Sequence, residues 1–303
     1  MGLVGTVLVL GASSFVGRHL LARLGDRAIG TYCRSALAGA AYYDALTMRV
    51  ADLVRDRPRP SHAVILLGDT DPESCAADVE RSTALNVTSI KRLAGELSEL
   101  GIKPVFISSE YVFDGTRGQY VEEDSVNPIL TYGRQKVEVE RFLAEATDDH
   151  VIVRLAKVVG SQPCDGTLFT AWLERLGRES IITCAIDQTF SPVYIDDVVE
   201  GILRLIDQDR RGLYHLAGPC PYRRIQLLEM LVREVQRWQS VDVRIAPRSI
   251  HDFVLRERRP VDVSMRPGKL VAETGLALID VADVCARMVE TRFQGRSRAT
   301  AGF

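Results

Sequence analysis

The sequence predicts an α/β protein: a doubly wound parallel sheet with a smaller C-terminal α/β domain. Three observations carry that prediction. Short apolar runs alternate with amphipathic stretches through the first 155 residues. A glycine-bearing turn, Gly11-Ala12-Ser13-Ser14-Phe15-Val16-Gly17, follows the first apolar run. The second half is less regular and is broken by prolines. Strands buried on both faces read as continuous apolar runs, and helices between them make parallel βαβ units.

The elements follow in order. Residues 6–10 (TVLVL) read as a buried strand and 15–24 as a helix. Strands are expected at 28–32, 63–67, 105–108 and 151–155. A long helix is expected somewhere within 78–100, and another at 133–146. Beyond these come strand-like pieces in 190–195, a helix from Asp196, a strand near 213–215, and helices near 224–236 and 281–292. In the last helix Val281, Val284, Cys285 and Met288 form one apolar face. The expected division is residues 1–158 with 188–216 as a Rossmann-type domain, and 159–187 with 217–294 as a substrate-binding domain. The polar tail, 294–303, is expected to lack structure.

Composition narrows the function classes. The chain has 303 residues, 46% apolar and 26% charged. That suits a soluble protein with a full core of its own. Thirty-eight Lys and Arg against 40 Asp and Glu leave a net charge of −2, which argues against a nucleic-acid partner. Six scattered cysteines without a C-x-x-C pair, and five histidines without ligand spacing, give no metal site or disulfide framework. No apolar run reaches the roughly 18–20 residues of a membrane span. The start Met1-Gly2-Leu3-Val4-Gly5-Thr6 fits an acylation pattern but runs straight into a strand, and the basic region of a signal peptide is missing. The expectation is a cytoplasmic protein.

The glycine turn is placed to bind a dinucleotide. Backbone N–H groups at a helix N-terminus, with the positive end of the helix dipole, suit a pyrophosphate. Gly11 permits the turn and Gly17 permits close helix packing, while Ser14 stands where a middle glycine is usual. After the second strand comes Arg34-Ser35 rather than an acidic residue, which favours the 2′-phosphate of NADP(H) over NAD(H). Asp44 sits where a third strand would end, within reach of an adenine amino group.

Tyr132 and Lys136 are four residues apart, on one face of a helix. A nearby cation is expected to stabilise a phenolate and lower the phenol's pKa. Nine tyrosines and five lysines placed at random in 303 residues would give about 0.15 such pairs. Ser109 lies at the C-terminal end of a strand, where ligands of α/β folds bind.

These residues sit in longer matching stretches. Val105-Phe106-Ile107-Ser108-Ser109-Glu110-Tyr111-Val112-Phe113-Asp114-Gly115 is similar to hIST-D-YVFDG. Val126-Asn127-Pro128 with Tyr132-Gly133-Arg134-Gln135-Lys136 is similar to PVNPxxxYGRSK. Asp187-Gln188 with Ser191-Pro192, the Gly212–Gly218 segment, and Arg258-Arg259-Pro260 with Lys269-Leu270 match three further motifs. The chain thus resembles the extended short-chain dehydrogenase/reductases. More narrowly it resembles the dTDP-4-dehydrorhamnose reductase family, which also contains the regulatory β subunit of methionine adenosyltransferase.

The resemblance implies NADPH-dependent reduction of a ketone on a nucleotide-linked or modified sugar, in a possible homodimer. It implies Tyr132 as proton donor, Lys136 as ribose ligand and tuner of Tyr132, and Ser109 as a hydrogen-bond partner of the carbonyl. It implies cofactor contacts from Gly11, Ser13, Ser14, Phe15, Val16, Gly17, Arg34, Ser35, Asp44, Ala45, Leu67, Gly68, Asn86, Ser108 and Leu155. Substrate contacts are expected from Glu110, Tyr111, Lys157, Gln188, Arg259 and Arg266. Lys157 replaces a Trp of the family pattern, and Arg266 replaces an Asp. Two alternatives stay open: a non-catalytic NADP-binding regulatory subunit, and a nucleotide-sugar epimerase or dehydratase.

Overall fold

The computed structural model describes residues 5–163 and 165–300, with side chains described to Gln294. The Met1 to Val4 acylation pattern, Cys164 and residues 301–303 of the tail lie outside the described residues. Seven strands form one parallel sheet: β1 (Val7–Leu10), β2 (Ala28–Tyr32), β3 (Ala41–Tyr42), β4 (His62–Ile65), β5 (Lys103–Ser109), β6 (Val151–Leu155), and, later in the chain, Gly212–Leu216. Their order across the sheet is β3, β2, β1, β4, β5, β6 and then Gly212–Leu216. The order reverses between β1 and β4, so a crevice opens there, outside the carboxyl ends of the strands.

Side-chain alternation splits the core into two layers. Val7, Val9, Val105, Val151 and Val153 face one way and pack with Val16 and Leu20 of α1 (Phe15–Leu24) and with Val198 and Ile202 of the helix Ile195–Asp207. Leu8, Leu10, Ala63, Phe106 and Ile152 face the other way, toward α2 (Val50–Val54) and later helices. Those later helices include the long one expected within 78–100, a continuous run from 79 to 99, preceded by a short extra helix. The chain forms α3 (Pro72–Ala77), capped by Asp71, then α4 (Val79–Thr83), capped by Asp78. A π-helical turn (Ala84–Thr88) leads into α5 (Ser89–Glu99). The extra residue of a π turn re-aims one side chain; here it includes Asn86. α6 (Thr131–Ala146) completes this layer.

A third apolar cluster lies outside the sheet. It joins α7 (Leu168–Leu176), the helix Arg224–Gln236 and the helix Val281–Thr300 through Phe169, Trp172, Leu227, Leu231, Cys285 and Met288. The parallel pair Ile181–Ala185 and Arg244–Arg248 packs with it. The last helix continues to Thr300, past its expected end near 292, so the tail expected to lack structure is helical from 294 to 300. No helix of the described residues is long and apolar enough to cross a membrane.

Candidate active site

At the end of β1 the backbone of Gly11 takes φ +85°, which favours glycine, and a Cβ there would meet the Leu66 carbonyl at 3.0 Å. At Gly17 a Cβ would lie 2.6 Å from the Gly11 carbonyl, so only glycine lets α1 pack against its own turn. Ser14 has φ −69°, open to any residue, and its Oγ accepts from Gly17 N at 3.2 Å as the helix cap. That explains why serine serves where the pattern has glycine. Ser13 contributes its carbonyl to Arg18 Nε at 3.1 Å. Ser14, Phe15 and Val16 then line a cleft of about 320 Å³. Its other walls include Leu67, Ser108, Ser109, Glu110, Tyr111, Tyr132, Lys136, Leu155 and Lys157.

The cleft thus collects Ser109, Tyr132 and Lys136 from β5 and the start of α6. All three are buried. Lys136 Nζ donates to the Ile107 carbonyl at 2.8 Å and lies 4.6 Å from the Phe106 ring centre and 5.6 Å from that of Tyr132. Burial pulls its pKa down to about 8, while the Glu140 carboxylate one turn along α6 works to raise it. Ser109 Oγ accepts from Tyr111 N at 3.2 Å. Burial raises the Tyr132 pKa well above its ordinary value, against the opposing hydrogen bond of Ser109. The expected lowering by Lys136 is therefore corrected. Desolvation of the phenol is the largest influence on its pKa, and the Lys136 ammonium donates to the Ile107 carbonyl.

Behind the cleft runs a buried network that the sequence reading missed. Glu140 accepts from Arg154 Nη2 at 2.8 Å and from the Ser108 hydroxyl. Arg154 Nη1 lies 3.4 Å from His215 Nε2, and burial then Arg154 hold His215 down at about 3. A second network fixes Asn86. Its Nδ2 donates to Gln135 Oε1 at 2.8 Å and to the Asp69 carbonyl at 2.9 Å, and its Oδ1 accepts from Asp69 N at 2.7 Å. This ties the loop holding Leu67 and Gly68, the latter at φ +134°, to α6.

Four residues expected at the adenosine side stand apart from these walls. Arg34 and Ser35 are exposed just beyond β2. Asp44 spends its carboxylate on its own turn, accepting from Leu46 N at 2.9 Å and Thr47 Oγ1 at 3.1 Å. Ala45 is buried.

The residues expected to meet a substrate differ most from expectation. Glu110 is buried and accepts from Lys157 N at 3.2 Å; burial pushes its pKa up to about 8, opposed by Lys157. Tyr111 lines the cleft, its ring edge-on to Tyr132 at 6.4 Å, and burial raises it to about 12. Gln188 lies deeper, bonded to Arg224 Nη1 at 3.3 Å. Arg259 is not a free cation: its Nη2 pairs with Glu73 Oε1 at 2.7 Å, joining the C-terminal half to α3. Arg266 is not brought to the cleft. It is exposed and reaches Gln119 Oε1 at 3.4 Å, because the bridge between Tyr120 and Met265 directs that segment elsewhere. Arg224, Arg175 and Trp172, which no motif marked, line an adjoining hollow with Lys157.

The sequence profile described as RmlD substrate binding domain matches residues 5–292. The chain belongs to that family. Its members are sugar-nucleotide reductases and relatives. A dTDP-4-dehydrorhamnose reductase of Sinorhizobium fredii is 25% identical over 249 residues, 79% of this chain and 83% of that protein. The methionine adenosyltransferase 2 subunit beta of Xenopus tropicalis is 25% identical over 233 residues, 70% of this chain and 66% of that one. The crystal structure of the Bacillus anthracis dTDP-4-dehydrorhamnose reductase in complex with NADP superposes with a TM-score of 0.82 at 21% identity, over 94% of this chain and 98% of that one. The RmlD fold is therefore shared along nearly the whole chain.

Proposed function

We propose that this RmlD-family protein reduces a ketone on a nucleotide-linked or modified sugar, with NADPH as reductant and Tyr132 as proton donor. The observation that carries the reading is the convergence of Ser109, Tyr132 and Lys136 in one cleft, beside the glycine turn and the N-terminus of α1. The turn fits a dinucleotide: its Cβ-free Gly11 and Gly17 bring backbone close, and the α1 N-terminus would present its amides to a diphosphate. Gly11, Ser13, Ser14, Phe15, Val16 and Gly17 would hold the diphosphate, and Leu67, Gly68, Ser108 and Leu155 the flanking groups. Arg34 and Ser35, exposed and free to turn, would meet a 2′-phosphate, which supports NADP(H) over NAD(H).

When bound, the reduced nicotinamide supplies the hydride. The protein's part is binding, orientation and proton supply. Ser109 donates to the ketone oxygen and fixes its direction. Tyr132 remains a phenol at neutral pH because burial holds its proton, and that is the form required of an acid. The alkoxide left by reduction is a stronger base than a phenolate, so transfer from Tyr132 runs downhill. Lys136 steadies the phenolate and holds the ribose, with Glu140 supporting its charge. The third apolar cluster supports reading 159–187 with 217–294 as the lobe that covers the sugar.

The test is steady-state NADPH oxidation with nucleotide 4-keto-6-deoxysugars and related keto sugars. Turnover by the wild type and its loss in Tyr132→Phe, with cofactor binding retained, is the expected result. Equal rates in both would overturn the reading. Similarity to a methionine adenosyltransferase β subunit favours a second reading, a cofactor-binding regulatory subunit. That one predicts NADP(H) binding with no turnover of any keto sugar.

A further inference from the structure

Lys157 stands where two spaces meet. It lines the cleft that holds Ser109, Tyr111 and Tyr132, and also a neighbouring hollow of about 580 Å³ with Trp172, Arg175 and Arg224. Phe15, Thr70 and Val158 border both, so the two are continuous. The charges around this junction do not balance. Arg175 is closed off by Glu179 through two contacts of 2.8 Å. Asp165 is occupied by its own loop, accepting from Thr167 N at 2.8 Å, Thr170 Oγ1 at 2.5 Å and Gln162 N at 3.2 Å. Arg224 rests on Gln188 and on the Trp172 ring, 5.6 Å from its centre, with no carboxylate in ion-pair contact among the described residues.

Glu110 is the carboxylate that acts on Lys157, but it is buried, accepts from the Lys157 backbone N at 3.2 Å, and is raised in pKa by burial. Lys157 is exposed at the edge of the cleft, although partial burial of its ammonium lowers its pKa against the pull of Glu110. Two cations therefore face a ligand. Arg224 borders only the outer hollow, whereas Lys157 also borders the wall shared with Ser109 and Tyr132.

A nucleoside diphosphate sugar carries its diphosphate away from the reacting ring, where it answers Arg224. A neutral ring over Lys157 would repay the desolvated ammonium only with hydrogen bonds to uncharged hydroxyls. An anion on the ring would repay it. We infer that Lys157 selects a sugar ring bearing a carboxylate, of the hexuronic acid type, over a neutral or 6-deoxy ring. This rests on the reading above that the cleft binds a nucleotide-linked sugar, and it names the class of that sugar.

Calorimetric titration of the full chain, saturated with NADP⁺, tests this. The probes are UDP-glucuronate, UDP-glucose and UDP, and the corresponding thymidine compounds. The hexuronate is expected to bind about tenfold to a hundredfold more tightly than the hexose, as one charged hydrogen bond allows. Lys157→Met should erase that preference and Lys157→Arg should keep it. Lys157 is exposed, so thermal unfolding of both variants should match the wild type. Equal affinity for acid and neutral sugar overturns the inference, as does a preference that survives Lys157→Met. A Lys157→Met variant that weakens UDP as much as UDP-glucuronate also overturns it, by assigning Lys157 to the diphosphate. If NADP⁺ binds but no sugar nucleotide does, the inference falls together with the nucleotide-sugar reading. If all sugars bind alike and keto sugars still turn over, only the inference falls.

Discussion

On one side of the cleft Tyr132, Lys136 and Asn86 are buried and each is held by named partners. On the other, Lys157 and Arg224 border open space, and among the described residues neither sits in an ion pair. The first side comes from contiguous motifs on β1–α1, β5 and α6. The second is assembled from the end of β6, α7 and the helix Arg224–Gln236. A site that must present fixed chemistry is built rigid, with its supporting shell internal. A site that must choose among ligands leaves its charges for the ligand to complete.

That contrast can be broken, most severely at Tyr132. Tyr132→Phe should lower kcat by about 10²–10⁴-fold, the usual worth of a positioned acid, while NADPH binding by fluorescence stays intact. Retained turnover would remove the rigid side's chemical role.

Next in size is Glu140. Glu140→Gln strands the buried Arg154 charge, which should cost about 3–5 kcal/mol in urea unfolding. Its pH signature is more telling. In the proposed mechanism the Lys136 ammonium is the active form; burial lowers its pKa to about 8, whereas that of Tyr132 is pushed upward, so the phenol stays protonated through that range. So kcat/KM should fall as pH rises through about 8, and removing Glu140 should move that limb to lower pH. Lys136→Arg, charged throughout, should abolish the limb. A limb unmoved in Glu140→Gln would make Glu140 a packing residue only.

Smaller effects sharpen the cofactor side. Gly17→Ala drives a Cβ to 2.6 Å from the Gly11 carbonyl and should cost roughly 1–3 kcal/mol, with weaker NADP(H) binding, in thermal shift and titration. Ser14→Ala should cost about 1 kcal/mol as a lost helix cap, and Ser14→Gly only a few tenths. If Ser14→Gly were the more damaging, the serine hydroxyl would be acting on the ligand rather than on the helix.

Much of this was legible beforehand because the information was local. The turn at Gly11 and Gly17 reports backbone geometry that other residues cannot adopt. Tyr132 and Lys136 share a helix face, so their spacing alone places them together. β1, β2 and the helix Arg224–Gln236 follow their apolar patterns closely. The long helix expected within 78–100 is present as a continuous run from 79 to 99, but apolar period does not show the π turn inside it that aims Asn86. Arg266 was misplaced because its motif lies near the C-terminus, and only the Tyr120–Met265 bridge decides where that segment runs. Arg224 and Arg175 were lost among many arginines, since a charge carries no signal until its neighbours are known.

The sequence by itself determined the α/β class, the glycine turn before α1 and the placing of Ser109, Tyr132 and Lys136 in one cleft. Each depends on residues within one βα unit or one helix turn, where chain geometry fixes the distances. Only the tertiary structure decided the charge states and the second half of the site. Burial depends on what packs over a group, and it reversed the expected direction for Tyr132. Pairing depends on segments far apart in the chain. It closed Arg259 with Glu73, removed Arg266, and left Lys157 facing the cleft.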